Sequence, residues 1–220
     1  MIPGAIAQYS QGETAMKKQL FTFVSALCIA TLASATTYMG PTDLSKQNLD
    51  DVVIHGPADL QQVKAKSLSV MGPLHFKDLQ VEQNAEIIGP VNNSETGKFN
   101  QIKVTGPLQV KQVTANSLQV IGPVQADNLA VSGDTVLLGP LTAQRSKFQN
   151  ITVTAEKVNL TDVVANNIFI KKVDGKQPTL TLAGNTVING SIQFESKDGI
   201  VVKGSKVEIK GQIIGGELKK

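Results

Sequence analysis

The chain has 220 residues, of which 41% are hydrophobic, and its formal net charge is +3. That hydrophobic content is enough for a packed core and argues against general disorder. Aromatic residues make up only 4% of the chain and the lysines are scattered, so neither a thick aromatic core nor a basic nucleic-acid surface is expected. The apolar residues are mostly Val, Leu, Ile and Ala, which suits thin stacked layers.

An export signal is predicted at residues 16–35, MKKQLFTFVSALCIATLASA. A pair of lysines opens this segment, and the apolar run that follows is too short to span a bilayer comfortably. The small residues Ala33 and Ala35 predict cleavage immediately before Thr36. An uncleaved N-terminal membrane anchor is the alternative interpretation.

Residues 1–15 resemble no targeting signal, and we interpret them as a mis-called or vestigial extension ahead of Met16. The single cysteine, Cys28, lies within the predicted signal, so the mature protein would have no thiol. Disulfides, thiolate metal sites and cysteine nucleophiles are therefore not expected. The signal is typical of a bacterial protein that is exported to the periplasm or the cell exterior.

The dipeptide Gly-Pro recurs at intervals of 16 or 17 residues, which identifies an internal repeat. It occurs at Gly56-Pro57, Gly72-Pro73, Gly89-Pro90, Gly106-Pro107, Gly122-Pro123 and Gly139-Pro140. Around each pair, apolar residues are spaced two apart in three short segments, as in Leu68 and Val70 or Leu74 and Phe76. This period of two predicts three short strands per unit.

A unit of about 17 residues with three strands matches one coil of a parallel β-helix, in which equivalent positions stack and bury columns of apolar side chains. We therefore predict an all-β, single-stranded parallel β-helix over residues 52–214, with roughly nine or ten coils. A polar segment or cap is predicted at 36–51 and a charged tail at 215–220.

Two columns of turn residues are predicted at the corners of the coils. Proline cannot donate to a strand ladder, so the Gly-Pro column must lie at one corner. A second column consists of Asn84, Asn100, Asn116, Gly133, Asn150 and Asn166. Asn and Gly enter the left-handed conformation at low cost, and stacked Asn side chains can form a hydrogen-bonded ladder. This structural interpretation is favoured over a row of Asn that binds a sugar or a surface.

Catalytic, metal-binding and cofactor-binding patterns are not found in the sequence, so we predict a non-enzymatic protein without a cofactor. His55 and His75 occupy non-equivalent positions and are interpreted as outward polar residues. The alternative is a carbohydrate-active β-helix enzyme, a lyase or hydrolase, which would use carboxylates. The candidates for that role are Asp50, Asp51, Glu195 and Asp198.

The repeat resembles the bactofilin family in its periodicity and in strands such as SLSVMGPL and SLQVIGPV. The resemblance implies a parallel β-helix that polymerises end to end without nucleotide. Bactofilins act in the cytoplasm without a cleavable signal, whereas this chain carries a predicted export signal. We therefore expect an exported structural or interaction protein, self-assembling or adhesive. Its expected partner is a second copy of itself, an envelope or surface protein, or a glycan, and not nucleic acid.

Overall fold

The structure, a computed structural model, describes residues 35–219. Parallel strands stack in this range as a β-solenoid of about 11 turns spaced about 17 residues apart, with no helix among the described residues. The predicted parallel β-helix is therefore confirmed. Within this range no helix is long and apolar enough to cross a membrane. The predicted extension and the export signal lie outside the described residues, apart from Ala35, the last residue of the signal.

The strands follow one another along the chain with few intervening residues. They are Thr36–Met39 (β1), Thr42–Ser45 (β2), Asn48–His55 (β3), Ala58–Met71 (β4), Leu74–Ile88 (β5), Val91–Asn93 (β6), Gly97–Thr105 (β7), Leu108–Ile121 (β8), Val124–Leu138 (β9), Leu141–Gln144 (β10), Lys147–Thr154 (β11), Lys157–Thr161 (β12), Val164–Lys171 (β13), Thr179–Ala183 (β14), Val187–Ile188 (β15), Ile192–Phe194 (β16), Gly199–Lys203 (β17), Glu208–Ile209 (β18), Ile213–Ile214 (β19) and Gly216–Lys219 (β20).

Each turn has three faces joined by three corners. The Gly-Pro corner carries the Gly-Pro pairs, the left-handed corner carries residues with positive φ, and the Asn corner carries the Asn and Gly column. Face I runs from the Gly-Pro corner to the left-handed corner, face II from there to the Asn corner, and face III back to the Gly-Pro corner. A long strand such as β4 passes through all three faces before the next Gly-Pro pair.

Equivalent positions of successive turns lie directly above one another. Ala58 pairs with Leu74, and Leu108 pairs with Val124, in parallel register. Because neighbouring side chains on a strand point to opposite sides, every second residue points into the solenoid. The result is a set of apolar columns that share one hydrophobic core along the whole length of the described solenoid.

Four phenylalanines point into the solenoid and are buried in its core. They are Phe76, Phe99, Phe148 and Phe194. The rings of Phe76 and Phe99 meet edge to face with their centroids 5.6 Å apart. A Cβ atom on Gly97 would lie 2.7 Å from the Phe76 ring, so the glycine makes room for that pair. At this point of the core, close packing of two rings therefore depends on the missing side chain of Gly97.

The sheet extends beyond the predicted repeat at both ends. Strand β1 pairs with β3 and β2 with β4, so residues 36–51 form the first turn and not a separate cap. The pair Gly40-Pro41 begins the Gly-Pro column, one turn earlier than the first pair used for the prediction. Strand β20 pairs with β17, so most of the predicted charged tail is also part of the sheet.

The Gly-Pro column ends at Pro140, and the later turns are longer. Residues 172–178 form a loop between β13 and β14, and residues 195–198 form a second loop between β16 and β17. The two loops contact each other, since the Gln177 side chain donates to the Asp198 carbonyl oxygen over 2.7 Å. Strand pairing continues through these turns without the short Gly-Pro connection.

Candidate functional site

The Gly-Pro corner is a continuous main-chain column. From Gly56 to Gly139 the glycines of the column have φ between +139° and +152°. The Gly72 amide donates to the Ile88 carbonyl oxygen, and the Leu74 amide donates to the Pro90 carbonyl oxygen, each over 2.9 Å. Proline fits between these two donors because the ladder needs no amide hydrogen at that position. The Gly-Pro residues predicted from the sequence therefore share a structural arrangement along one edge.

The Asn corner contains a partial hydrogen-bonded ladder. The Asn116 side-chain amide donates to Asn100 over 3.4 Å, and the Ser132 hydroxyl donates to the Asn116 Oδ1 atom over 3.1 Å. Further along, Asn150 donates to Asp134 over 3.1 Å. Gly133 cannot take part because it has no side chain, so the serine before it serves the ladder instead.

The same ladder continues into the longer turns. Asn167 donates to Asn150 over 3.1 Å, and the Asn189 side-chain amide donates to the Asn166 Oδ1 atom over 3.5 Å. The Lys210 ammonium group then donates to the Asn189 Oδ1 atom over 3.1 Å. These bonds join side chains of successive turns, so the amides of this corner are largely engaged with one another.

Positive φ angles for side-chain-bearing residues occur at a different corner from the Asn column. The residues are Lys46, Gln62, Asp78, Gln112, Asn128, Arg145 and Asp162, with φ between +48° and +57°. This left-handed corner was not predicted from the sequence, because its residues share polarity but not type. A usable signal is the pair of polar residues between two inward positions, as at Gln61 and Gln62 between Leu60 and Val63.

The two histidines lie on different faces. His55 ends β3 on face III, whereas His75 lies on face I, where its Nδ1 atom is 3.4 Å from a carboxylate oxygen of Asp59. Asp43 occupies the outward position equivalent to that of Asp59, one turn earlier. Among residues 35–219 no group of three or more His, Cys, Asp or Glu residues is arranged to hold a metal ion.

The four carboxylates considered for glycan cleavage fall into two separate groups. Asp50 and Asp51 belong to β3 at the start of the solenoid, whereas Glu195 and Asp198 lie in the loop before β17, near its other end. Glu195 accepts the Lys172 amide over 2.9 Å. The nearby Ser196 hydroxyl, followed by the Lys172 charge, holds the pKa of the Asp198 carboxyl below its usual range. The structure thus brings together members of each group but not the two groups.

Two grooves follow the solenoid axis. One, of about 890 Å³, lies on face II, where the small residues Thr114 and Ala130 form its floor between Lys98 and Lys147. The other, of about 530 Å³, follows the Gly-Pro corner through the first turns. Both are open and elongated, so their shapes suit an extended partner better than a compact small molecule.

The two ends of the described solenoid leave core positions partly uncovered. Leu218 continues the inward column of Val201, but its side chain is 44% exposed, whereas Val201 is 0% exposed. At the other end Tyr38 precedes Ile54 in its column and is only partly buried. The outermost strands β2 and β20 also have a paired neighbour on one side only among the described strands.

These features define a parallel β-helix with structural corner columns, in which core positions at the two ends of the described range are partly exposed. No family model matches the chain, and neither a curated protein nor a solved structure matches it.

Proposed function

We propose that the mature chain is an exported, non-enzymatic structural or interaction protein of the bacterial envelope that assembles end to end through its coils. The observation that carries this proposal is Leu218, an inward core residue left 44% exposed at the last described rung. Exposed strand edges recruit further strands unless they are covered. Stacking another turn there would bury the side chain and satisfy the open main-chain groups.

Charge favours a head-to-tail arrangement of the copies. The first turn, residues 36–51, contains three Asp and one Lys, whereas the last, residues 203–219, contains four Lys and two Glu. The two end surfaces therefore carry opposite net charge and attract each other. Because these charges are exposed, the attraction should weaken as salt is added.

The end-to-end mode is also the one that the resemblance to bactofilins implies. We extend to this chain only the assembly mode, together with the fold. The predicted export signal implies a different compartment, and the Gly-Pro column is not a bactofilin hallmark. An adhesive role for the assembled rod is compatible with the same surfaces.

The test replaces the exposed core residue by a charge. Leu218→Asp should abolish elongated species in sedimentation velocity, because each junction would then bury a carboxylate. Val202→Asp is the matched control, since Val202 points outward on the same face and is 36% exposed. Circular dichroism of both variants checks that the solenoid remains folded. Equal assembly of the two variants, or a monomeric unsubstituted protein at all concentrations, would refute end-to-end stacking.

A further inference from the structure

A second surface of the solenoid is apolar although it faces outward. The side chains immediately before the glycines of the Gly-Pro corner include five large apolar residues that are 44% to 77% exposed. They are Met39, Met71, Ile88, Ile121 and Leu138. We call this column, together with the exposed prolines that follow each glycine, the apolar ridge. Its other members are the uncharged Thr105 and Thr154, and His55.

Exposed large apolar side chains form a repeated column only at this corner of the described solenoid, whereas Val136, Val164 and Val202 are exposed elsewhere and belong to three different columns. All seven side chains with positive φ at the left-handed corner are polar or charged. Outward positions of a sheet that faces water are normally polar. A repeated apolar residue at one outward position therefore indicates a surface that is covered in the working assembly.

The flanks of the apolar ridge carry little net charge from Ile88 to Leu138, whereas Asp43 and Asp59 lie beside its first turns. On face III the only ionic side chains at the neighbouring outward positions from Ile88 to Leu138 are Glu86 and Lys103, and these pair with each other over 2.8 Å. On face I the corresponding positions beside this part of the ridge are Asn92, Gln109, Gln125 and Thr142. From Ile88 to Leu138 a partner can therefore cover the ridge without burying an unpaired charge.

We propose that the apolar ridge is a lateral interface at which a second copy of this chain lies side by side with the first. Ridge side chains are spaced by one strand separation, ~4.8 Å, and another copy presents the same spacing along the same straight line. The flanks offer no excess of cations that would attract an anionic lipid surface. Two copies using one ridge each would form a self-complementary interface with two-fold symmetry.

The available area is compatible with such a pair. Five large side chains that are about half exposed present on the order of 500 Å² together, which is at the upper end for an uncovered patch on a monomer. The exposed proline rings add to this value. The sum approaches the roughly 800 Å² per partner that a standard specific interface buries. The lateral contact does not depend on end-to-end stacking, because it uses outward side chains of one corner, of which only Met39 lies in an end turn.

The test adds charge to the apolar ridge in a Leu218→Asp background, so that end contacts do not contribute. The full coding sequence is expressed in an exporting bacterium, and the purified product is measured by sedimentation velocity at several concentrations. Ile121→Lys with Leu138→Lys should weaken self-association at least tenfold. Thr114→Lys with Asn128→Lys adds the same charge to the same two turns on other surfaces and should leave association unchanged.

Cysteine cross-linking locates the contact. Thr105→Cys, in the middle of the ridge, should form an intermolecular disulfide on mild oxidation, whereas Thr114→Cys on face II should not. The unsubstituted chain controls for Cys28. Equal association of the two lysine variants, or no cross-link through residue 105, would overturn the proposal. Binding of the unsubstituted protein to phosphatidylcholine vesicles, without dimers, would also overturn it in favour of a lipid surface.

Discussion

The carbonyl oxygen of Gly89 lies 2.5 Å from the position that a Cβ atom on Gly106 would occupy. The same relationship recurs between Gly106 and Gly122, where the distance is 2.4 Å. A side chain at any of these glycines would therefore collide with the main chain of the glycine in the preceding turn, and main-chain atoms cannot move aside. The positive φ at the same positions is a second reason for glycine, and the two causes can be separated by substitution.

Gly106→Ala should lower the free energy of unfolding by roughly 2–4 kcal/mol, because it combines an unfavourable φ with a main-chain clash. Gly40→Ala is the control, since Gly40 has φ of +89° but no described atom lies within 4 Å of the point where its Cβ atom would be. It should cost roughly 1–2 kcal/mol. Urea denaturation measures both values. Equal costs would mean that close stacking at this corner is unimportant.

A buried threonine interrupts the apolar column of face III. Thr135 lies between Leu118 and Ile151, is 1% exposed, and its hydroxyl has no hydrogen-bond partner among the described residues. Thr135→Val keeps the shape and removes the unpaired group, so it should raise the free energy of unfolding by about 1–2 kcal/mol. Thermal unfolding checks the sign of the effect.

Thr186 gives the opposite expectation for the same substitution. Its hydroxyl donates to the Ala183 carbonyl oxygen over 2.6 Å and accepts the Val163 amide over 3.2 Å. Thr186→Val should therefore destabilise the protein by about 1–3 kcal/mol. If both valine variants shifted stability in the same direction, hydrogen bonding would not be the distinguishing cause.

The inward side chain of Asn93 forms hydrogen bonds with the main chain of the next turn. Its side chain accepts the Lys111 amide and donates to the Lys111 carbonyl oxygen, both over 2.7 Å. Asn93→Ala should cost about 2–3 kcal/mol because two partly buried main-chain groups of Lys111 lose their partner. Asn92→Ala, at the neighbouring exposed position, should change stability by less than about 0.5 kcal/mol. Chemical denaturation of the two variants decides the point, and similar costs would contradict this role for Asn93.

The carboxyl of Asp78 is expected to titrate below its usual range. The Thr96 hydroxyl donates to it over 2.6 Å, and this bond is the main reason that its pKa is lowered. Its contribution to stability should be present above the pKa of the unfolded chain and disappear as pH falls through the folded pKa. Thr96→Val should raise the pKa of Asp78, which NMR titration can measure; an unchanged pKa would assign the effect to another group.

The sequence carried enough information for the coil length, the three strands and most inward residues. Pairs such as Leu68 and Val70 are buried because a period of two and a repeat of about 17 residues leave one consistent stacking. The first turn does not stand out in the sequence, because residues 36–51 are mostly polar, although Gly40-Pro41 continues the Gly-Pro spacing. The sequence does not predict that the Asn93 side chain points inward, because its main-chain partners belong to the next coil.

The left-handed corner could not be predicted from residue preference. Residues as different as Arg145 and Asp162 adopt positive φ there, because pairing on both adjoining faces fixes the main chain at the bend. The apolar ridge is visible in the sequence only after the corner is known, since Met71 and Ile88 otherwise resemble core residues. Recognising the left-handed corner and the apolar ridge therefore requires knowing which residues stack on one another in successive coils.

The most direct test of the central claim is negative-stain electron microscopy, with light scattering, of the purified exported protein over a range of concentrations. End-to-end assembly predicts rods whose lengths are multiples of about 50 Å, the height of about 11 rungs at ~4.8 Å each, and whose mean length grows with concentration. Particles of one monomer length at every concentration would contradict assembly through the coils.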